Sequence, residues 1–129
     1  MSELNRRKEN FEKYYENYKK LKEKEEYGKA GEMIWGAVSN LIEAISWARS
    51  EEGLGDYSSK QEFIKQLSGE MNDEDLFDTF EDANDLHVRS FYERRMSKKR
   101  FLELTDRIER ILIPKLKHYY NIMKGRGEY

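Results

Sequence analysis

The chain of 129 residues has no cysteine, which excludes disulfides and thiolate metal sites and makes a reducing compartment the expected setting. It has a single proline and no sustained alternation of apolar and polar residues. A chain with so few helix breakers and no strand period is expected to be all helical. Its two histidines, His87 and His118, are too few for a multi-histidine metal centre. No run approaches the roughly 18 consecutive apolar residues of a membrane span, and the opening MSELNRRKENFEKYY has no apolar signal region. A cytoplasmic protein with no membrane contact is therefore expected. Phosphate-binding GxxxxGK[ST], dinucleotide-binding GxGxxG and zinc-binding HExxH motifs are all missing, and neither a cofactor nor a metal is expected.

What is abundant is charge. Charged residues make up 39% of the chain, hydrophobic residues 37% and aromatic residues 13%, so one domain spanning 1–129 must build its core from few but large side chains. Net charge is −2, yet residues 50–85 sum to −10 and residues 86–129 to +7. Such a split suggests an anion-binding face or a self-complementary interface, or the placing of acids at helix starts and bases at helix ends.

The stretch Tyr27–Arg49 is the least charged. Ala30, Ile34, Ala37, Leu41, Ile45 and Ala48 follow a helical spacing, with Met33 and Trp47 on a second apolar row. A helix apolar on more than one side belongs at the centre of a bundle. The expected layout is a five-helix, largely up-and-down bundle. A first helix over about 3–25 has Phe11, Tyr15, Tyr18 and Leu21 inward, with Tyr14 beside them. The central helix runs to about Glu52 with Gly53 as its cap, and Gly31 and Gly36 permit close approach of a neighbour or a ligand. A capping box at Ser59 and Glu62 opens a third helix over about 60–68. A fourth, about 73–93 after Asn72 or Asp73, turns Leu76, Phe80, Ala83, His87 and Phe91 inward. A fifth begins at Ser97, is kinked or interrupted by Pro114, and frays over 124–129.

Two places could carry chemistry. The fifth helix opens on Lys98, Lys99 and Arg100, with Arg94 and Arg95 just before them. Cations in a first turn are opposed by the helix dipole, so this turn reads as a phosphate site beside free N–H groups, with Tyr92 placed to stack on a base. The plain alternative is a solvated turn or a patch facing another subunit's acids. His87 is the second place. It reads as a satisfied core histidine, bonded to Glu32 or Asn40, or as a general base with a partner that fixes its tautomer. A carboxylate metal site among Glu32, Glu43 and the fourth helix is disfavoured because the acids do not recur on one inward face.

YGKAGEMIWGAV at 27–38 and ANDLHVRSFYE at 83–93 resemble the archaeal paREP-type family, which is grouped with the HEPN-like helical domains. The matching positions are Lys29, Ala30, Gly31, Glu32 and Trp35, then Leu86, His87, Phe91, Tyr92 and Glu93. The resemblance implies a helical bundle that often dimerises. It also implies RNA or a nucleotide as ligand, or a nucleotidyltransferase or antitoxin protein as partner. HEPN ribonucleases carry an arginine followed by four to six residues and then a histidine; no arginine precedes His87 at that spacing. The reading that follows is a nucleic-acid or nucleotide-binding module, leaning away from an enzyme. Glu32, Trp35, His87 and Tyr92 would line a groove beside Arg94, Arg95, Lys98, Lys99 and Arg100. A ribonuclease or toxin using His87 in a non-standard site, and a plain protein-interaction module, are the alternatives.

Overall fold

Helix α1 (Glu3–Glu23) starts on Ser2, whose hydroxyl accepts from the Asn5 N–H at 3.2 Å. The computed structural model describes residues 2–89 and 96–127. Glu25 takes a left-handed backbone (φ 61°), and the chain reverses into α2 (Tyr27–Ser50). The two helices form a tightly packed hairpin. Gly36 sits at a close contact between them, where an added Cβ would stand 2.5 Å from Cδ1 of Tyr14. Glycine is there for the approach of a neighbouring side chain, and no ligand is needed to explain it. The cost of that glycine in mid-helix is about 1 kcal/mol.

Helix α2 is the axis. Ala30, Ile34, Ala37, Val38, Leu41, Ile42, Ala44 and Ile45 are all fully buried. It ends on Glu51 with φ 57°, not on the expected Gly53. The α3 helix (Tyr57–Glu70) is capped by Asp56, which accepts from the Ser59 N–H at 2.8 Å. Ser59 therefore lies inside the first turn and the helix begins three residues earlier than the capping box suggested, because the aspartate is the better-placed acceptor. Helix α4 (Glu74–His87) follows Asp73. Its inward row is Leu76, Thr79, Phe80, Ala83 and Leu86. His87 is half-buried at the rim, and Phe91 lies outside the described residues.

Helix α5 starts as Lys98–Arg107, passes through a π-helical turn at Ile108–Leu112 and continues as Ile113–Gly127. Ser97 is its cap, accepting from the Arg100 N–H at 3.1 Å. Pro114 does not interrupt it. A proline ring clashes with the carbonyl four residues back and offers no N–H. Just before it, the Ile113 N–H reaches back five residues to the Ile108 carbonyl, widening the turn that the ring must enter. The helix then runs to Gly127, past the point where fraying was expected. Its far half buries Ile113, Leu116, Tyr119, Tyr120 and Met123, so tertiary packing holds a segment that Gly125 and Gly127 would weaken alone. The result is an all-α bundle of five helices around α2, with no strand among the described residues.

Candidate functional site

Trp35 and His87 lie face to face across α2 and α4. Their ring centroids are 4.8 Å apart with an interplanar angle of 15°. Trp35 also packs at a tilt on Phe80 (6.0 Å) and on Tyr57 of α3 (6.2 Å), and Tyr57 stacks on Phe80 at 5.8 Å. Three helices thus contribute one aromatic cluster. Phe80 is its buried floor, while Trp35, Tyr57 and His87 are half-buried.

Two carboxylates border the cluster. Burial pushes the His87 imidazole below its ordinary value of 6.5, against the pull of the Glu32 charge. The ring is therefore held neutral near pH 7. On the other side Glu81 accepts from Gln61 at 3.0 Å and from the Tyr57 hydroxyl at 3.4 Å. Burial, with the Glu81 charge added, pushes that phenol up to about 12. Asn40, the other partner considered for His87, is engaged with Arg7 at 3.2 Å and with the Gly36 carbonyl at 2.8 Å.

The basic turn is at the same end of the bundle, since Tyr27 at the start of α2 packs on Phe101 of α5 at 4.9 Å. Lys98, Lys99 and Arg100 are exposed. Lys98 pairs with Glu25 at 3.3 Å, and Arg100 reaches Asp85 at 3.7 Å and Glu103 at 3.6 Å. Arg94, Arg95 and Tyr92 lie outside the described residues, so the structure brings together Glu32, Trp35 and His87 and sets Lys98, Lys99 and Arg100 near them.

The charge split closes largely within the chain. Arg107 pairs with Asp82 at 2.6 Å, Lys115 with Asp73 at 3.0 Å, and Arg89 and Arg100 share Asp85. Asp73 sits at the α4 start yet makes no side-chain capping bond. Its carboxylate instead accepts from Lys115 and, at 2.6 Å, from Tyr119. Burial alone would raise this carboxyl, but those two partners outweigh it and hold it below the usual range. The asymmetry therefore needs no second copy to neutralise it.

Sequence reasoning weighed Glu43 only as a metal ligand and missed its pairing with Lys60. Glu43 is 3% exposed and Lys60 6%, and they lie 3.5 Å apart. The carboxylate accepts from the Leu54 N–H at 3.0 Å and the Gly55 N–H at 2.8 Å, while Lys60 donates to the Gly55 carbonyl at 2.6 Å. A buried ion pair persists only when its remaining hydrogen-bonding capacity is filled; here the α2–α3 loop fills it. The loop is thereby fixed, and with it Tyr57, three residues before Lys60. The available signal was Glu43 within the apolar stretch Leu41–Ile45, a charge that must find a partner.

Among the described residues no group of three or more acidic or histidine side chains is placed to hold a metal ion, and no helix is long and apolar enough to cross a membrane. No curated protein and no solved structure matches the chain. The model of the archaeal PaREP1/PaREP8 family matches residues 6–112, which takes in α1 to α4, the basic turn, the Trp35–His87 stack and α5 as far as the π-helical turn; the chain belongs to that family.

Proposed function

We propose that this protein is a HEPN-like module that binds RNA or a nucleotide at the end of the bundle where α2 and α5 begin and α4 ends. The observation that carries this reading is the Trp35–His87 stack, half-open to solvent, at the same end as a helix start bearing three exposed cations. A base has aromatic surface to lie against, as in proteins that bind single strands. The Glu32 carboxylate is a natural acceptor for an exocyclic amine. The phosphate has the Lys98–Arg100 turn, where exposed pairs such as Lys98 with Glu25 are weak and exchangeable.

The test uses Trp47→Phe protein, in which Trp35 is the sole tryptophan. Quenching of its fluorescence by an RNA oligonucleotide, weakening steeply with salt as counterions are released, is the expected result. Lys98→Ala with Lys99→Ala should reduce that affinity about tenfold, in keeping with the loss of two phosphate contacts. Absence of salt-dependent binding, or an unchanged affinity in the double variant, would end this reading.

The neutral state of His87 beside Glu32 favours one second reading, general-base use of the imidazole on RNA. It predicts cleavage that is lost in His87→Ala while the circular dichroism stays helical. An RNA pool left intact by the wild type rules it out.

A further inference from the structure

On the opposite side of α5 a different surface runs the length of the molecule. Helix α5 lies antiparallel to α1: Lys98 meets Glu25, Lys22 meets Glu109 at 2.8 Å, and Lys117 lies over Phe11. The two helices meet through side chains, and both pack on α2. The floor of the seam is a ladder of rings. Phe11, Tyr15 and Tyr18 stack in series at 5.7 Å each.

Above each ring stands a lysine ammonium. Lys22 covers Tyr18 at 5.6 Å and Lys19 covers Tyr15 at 5.4 Å. Lys8 stands 5.6 Å from both Phe11 and Tyr120. Lys117 is 5.5 Å from Phe11, Lys124 is 6.0 Å from Tyr120, and Lys98 is 5.9 Å from Tyr27. The described residues contain seven lysine-over-ring contacts. Six of them fall on this seam, and the seventh, Lys98 over Tyr27 of α2, stands at its end on the basic turn, so it is one feature and not a scatter of surface contacts.

Charge grades along it. Lys8, Lys19, Lys22 and Lys98 each have a carboxylate partner. Lys117 and Lys124 have none among the described residues, and the segment Ile113–Gly127 contains four basic and no acidic residues. Two ammonium groups with no carboxylate partner among the described residues therefore converge with Lys8 around two adjacent rings. The rings beneath are almost fully covered, Phe11 at 2% and Tyr120 at 4% exposure. Bases cannot stack on them. What the seam offers outward is a row of ammonium groups, which fits a phosphodiester backbone.

Lys98 and Lys117 are 19 positions apart, or about 28 Å along a helix. No mononucleotide spans that distance. We propose that the α1–α5 seam is a second, sequence-independent phosphate-binding surface, and that the ligand is an extended single strand of nucleic acid running from the basic turn toward Lys117 and Lys124. This rests on the reading of the turn as a phosphate site, but its own lysines are separate and can be tested apart.

The experiment compares a mononucleotide, a trinucleotide and an oligouridylate of about 12 residues, a length within the site sizes of single-strand binders. Each is titrated into wild type, Lys117→Gln/Lys124→Gln and Lys98→Ala/Lys99→Ala at several salt concentrations. The long strand should bind wild type at least about tenfold tighter than the trinucleotide, with a steeper salt dependence. Lys117→Gln/Lys124→Gln should remove most of that gain, lowering the slope of log K against log salt by about 1.4, two contacts at roughly 0.7 each. Its trinucleotide affinity should not move. Equal affinity for short and long strands, or a long-strand slope unchanged in Lys117→Gln/Lys124→Gln, overturns the seam while leaving the turn intact. Polyglutamate is titrated as a control anion, and binding of it that depends on Lys117 and Lys124, with no RNA binding, overturns the assignment to nucleic acid. If Lys98→Ala/Lys99→Ala changes nothing while Lys117→Gln/Lys124→Gln weakens the long strand, the turn fails and the seam stands. Both lysines of the seam variant are exposed, and circular dichroism verifies that it is folded.

Discussion

The α3–α4 side and the α1–α5 seam both set aromatic rings beside charges, but they do so in opposite order. On the α3–α4 side the charges are acidic and two of them are locked in place. Glu43 is buried under the loop it holds, and Asp73 is bound by Lys115 and Tyr119. The rings there, Trp35, Tyr57 and His87, are the half-open groups. Along the seam Phe11, Tyr18 and Tyr120 are closed, and Lys19, Lys117 and Lys124 stand in solvent. One side therefore offers aromatic surface steadied by fixed carboxylates, and the other offers exposed cations laid over a buried aromatic ladder. Long lysine stems make the second arrangement possible, because they lie on apolar surface and still deliver the charge to water.

The sharpest way to break this contrast is to remove a fixed charge. Glu43→Ala leaves Lys60 buried without its partner and two loop N–H groups without an acceptor. A loss of about 3–5 kcal/mol in urea unfolding is expected, whereas Lys22→Met, which keeps the stem over Tyr18, should cost less than about 1 kcal/mol. Similar costs for the two would erase the distinction between locked and surface charge.

Trp35→Ala removes the ring shared by His87, Tyr57 and Phe80. Since Trp35 is only half-buried, a cost of about 2 kcal/mol is expected, below that of a fully buried aromatic. Near-UV circular dichroism should lose its tryptophan signal from this side while the seam tyrosines keep theirs.

Acid should act on the α3–α4 side first. His87 has a lowered value in the fold, so as pH falls below its ordinary 6.5 the unfolded chain takes up the proton more readily and stability drops. Asp73 is also lowered, and its contribution is present above the ordinary 3.8 and lost as pH falls through its folded value. A midpoint that declines in two stages is expected by thermal melts across pH. His87→Gln should flatten the upper stage alone, and an unchanged upper stage would show that another group carries it.

The smallest effect belongs to Gly36. Alanine there gains about 1 kcal/mol of helix propensity but must push aside the Tyr14 ring, which is 37% exposed and free to swing outward. A net change below about 1 kcal/mol is expected. A large loss would mean that Tyr14 is pinned.

Much of the fold was legible. The spacing of Ile34, Leu41 and Ile45 marked α2 as the axis, and Ser97 was read correctly as a cap. Caps failed where two residues could serve: Asp56 displaced Ser59 as the acceptor, and Glu51 took the left-handed position ahead of Gly53. Pro114 was read as a break because local chemistry forbids an ordinary turn there. The π-helical turn that admits it is sustained by packing on both sides, which no window of sequence displays. Of the site, the cationic turn was visible as a run of residues. The Trp35–His87 contact joins positions 52 apart in sequence and was expected only through the family resemblance.

The sequence by itself determined the class of the fold and the supply of groups: helices from period and composition, a family from two short motifs, and a surplus of acid in one half and base in the other. Only the tertiary structure decided which charges cancel and which remain. Arg107, Lys115 and Arg100 find carboxylates because α5 packs beside α4. Among the described residues Lys117 and Lys124 find none: Lys117 lies over Phe11 of α1 and Lys124 over Tyr120 of α5, both covered rings. Coulomb attraction at contact depends on which surfaces meet, and that is set by the burial of the apolar faces, not by the order of charges along the chain.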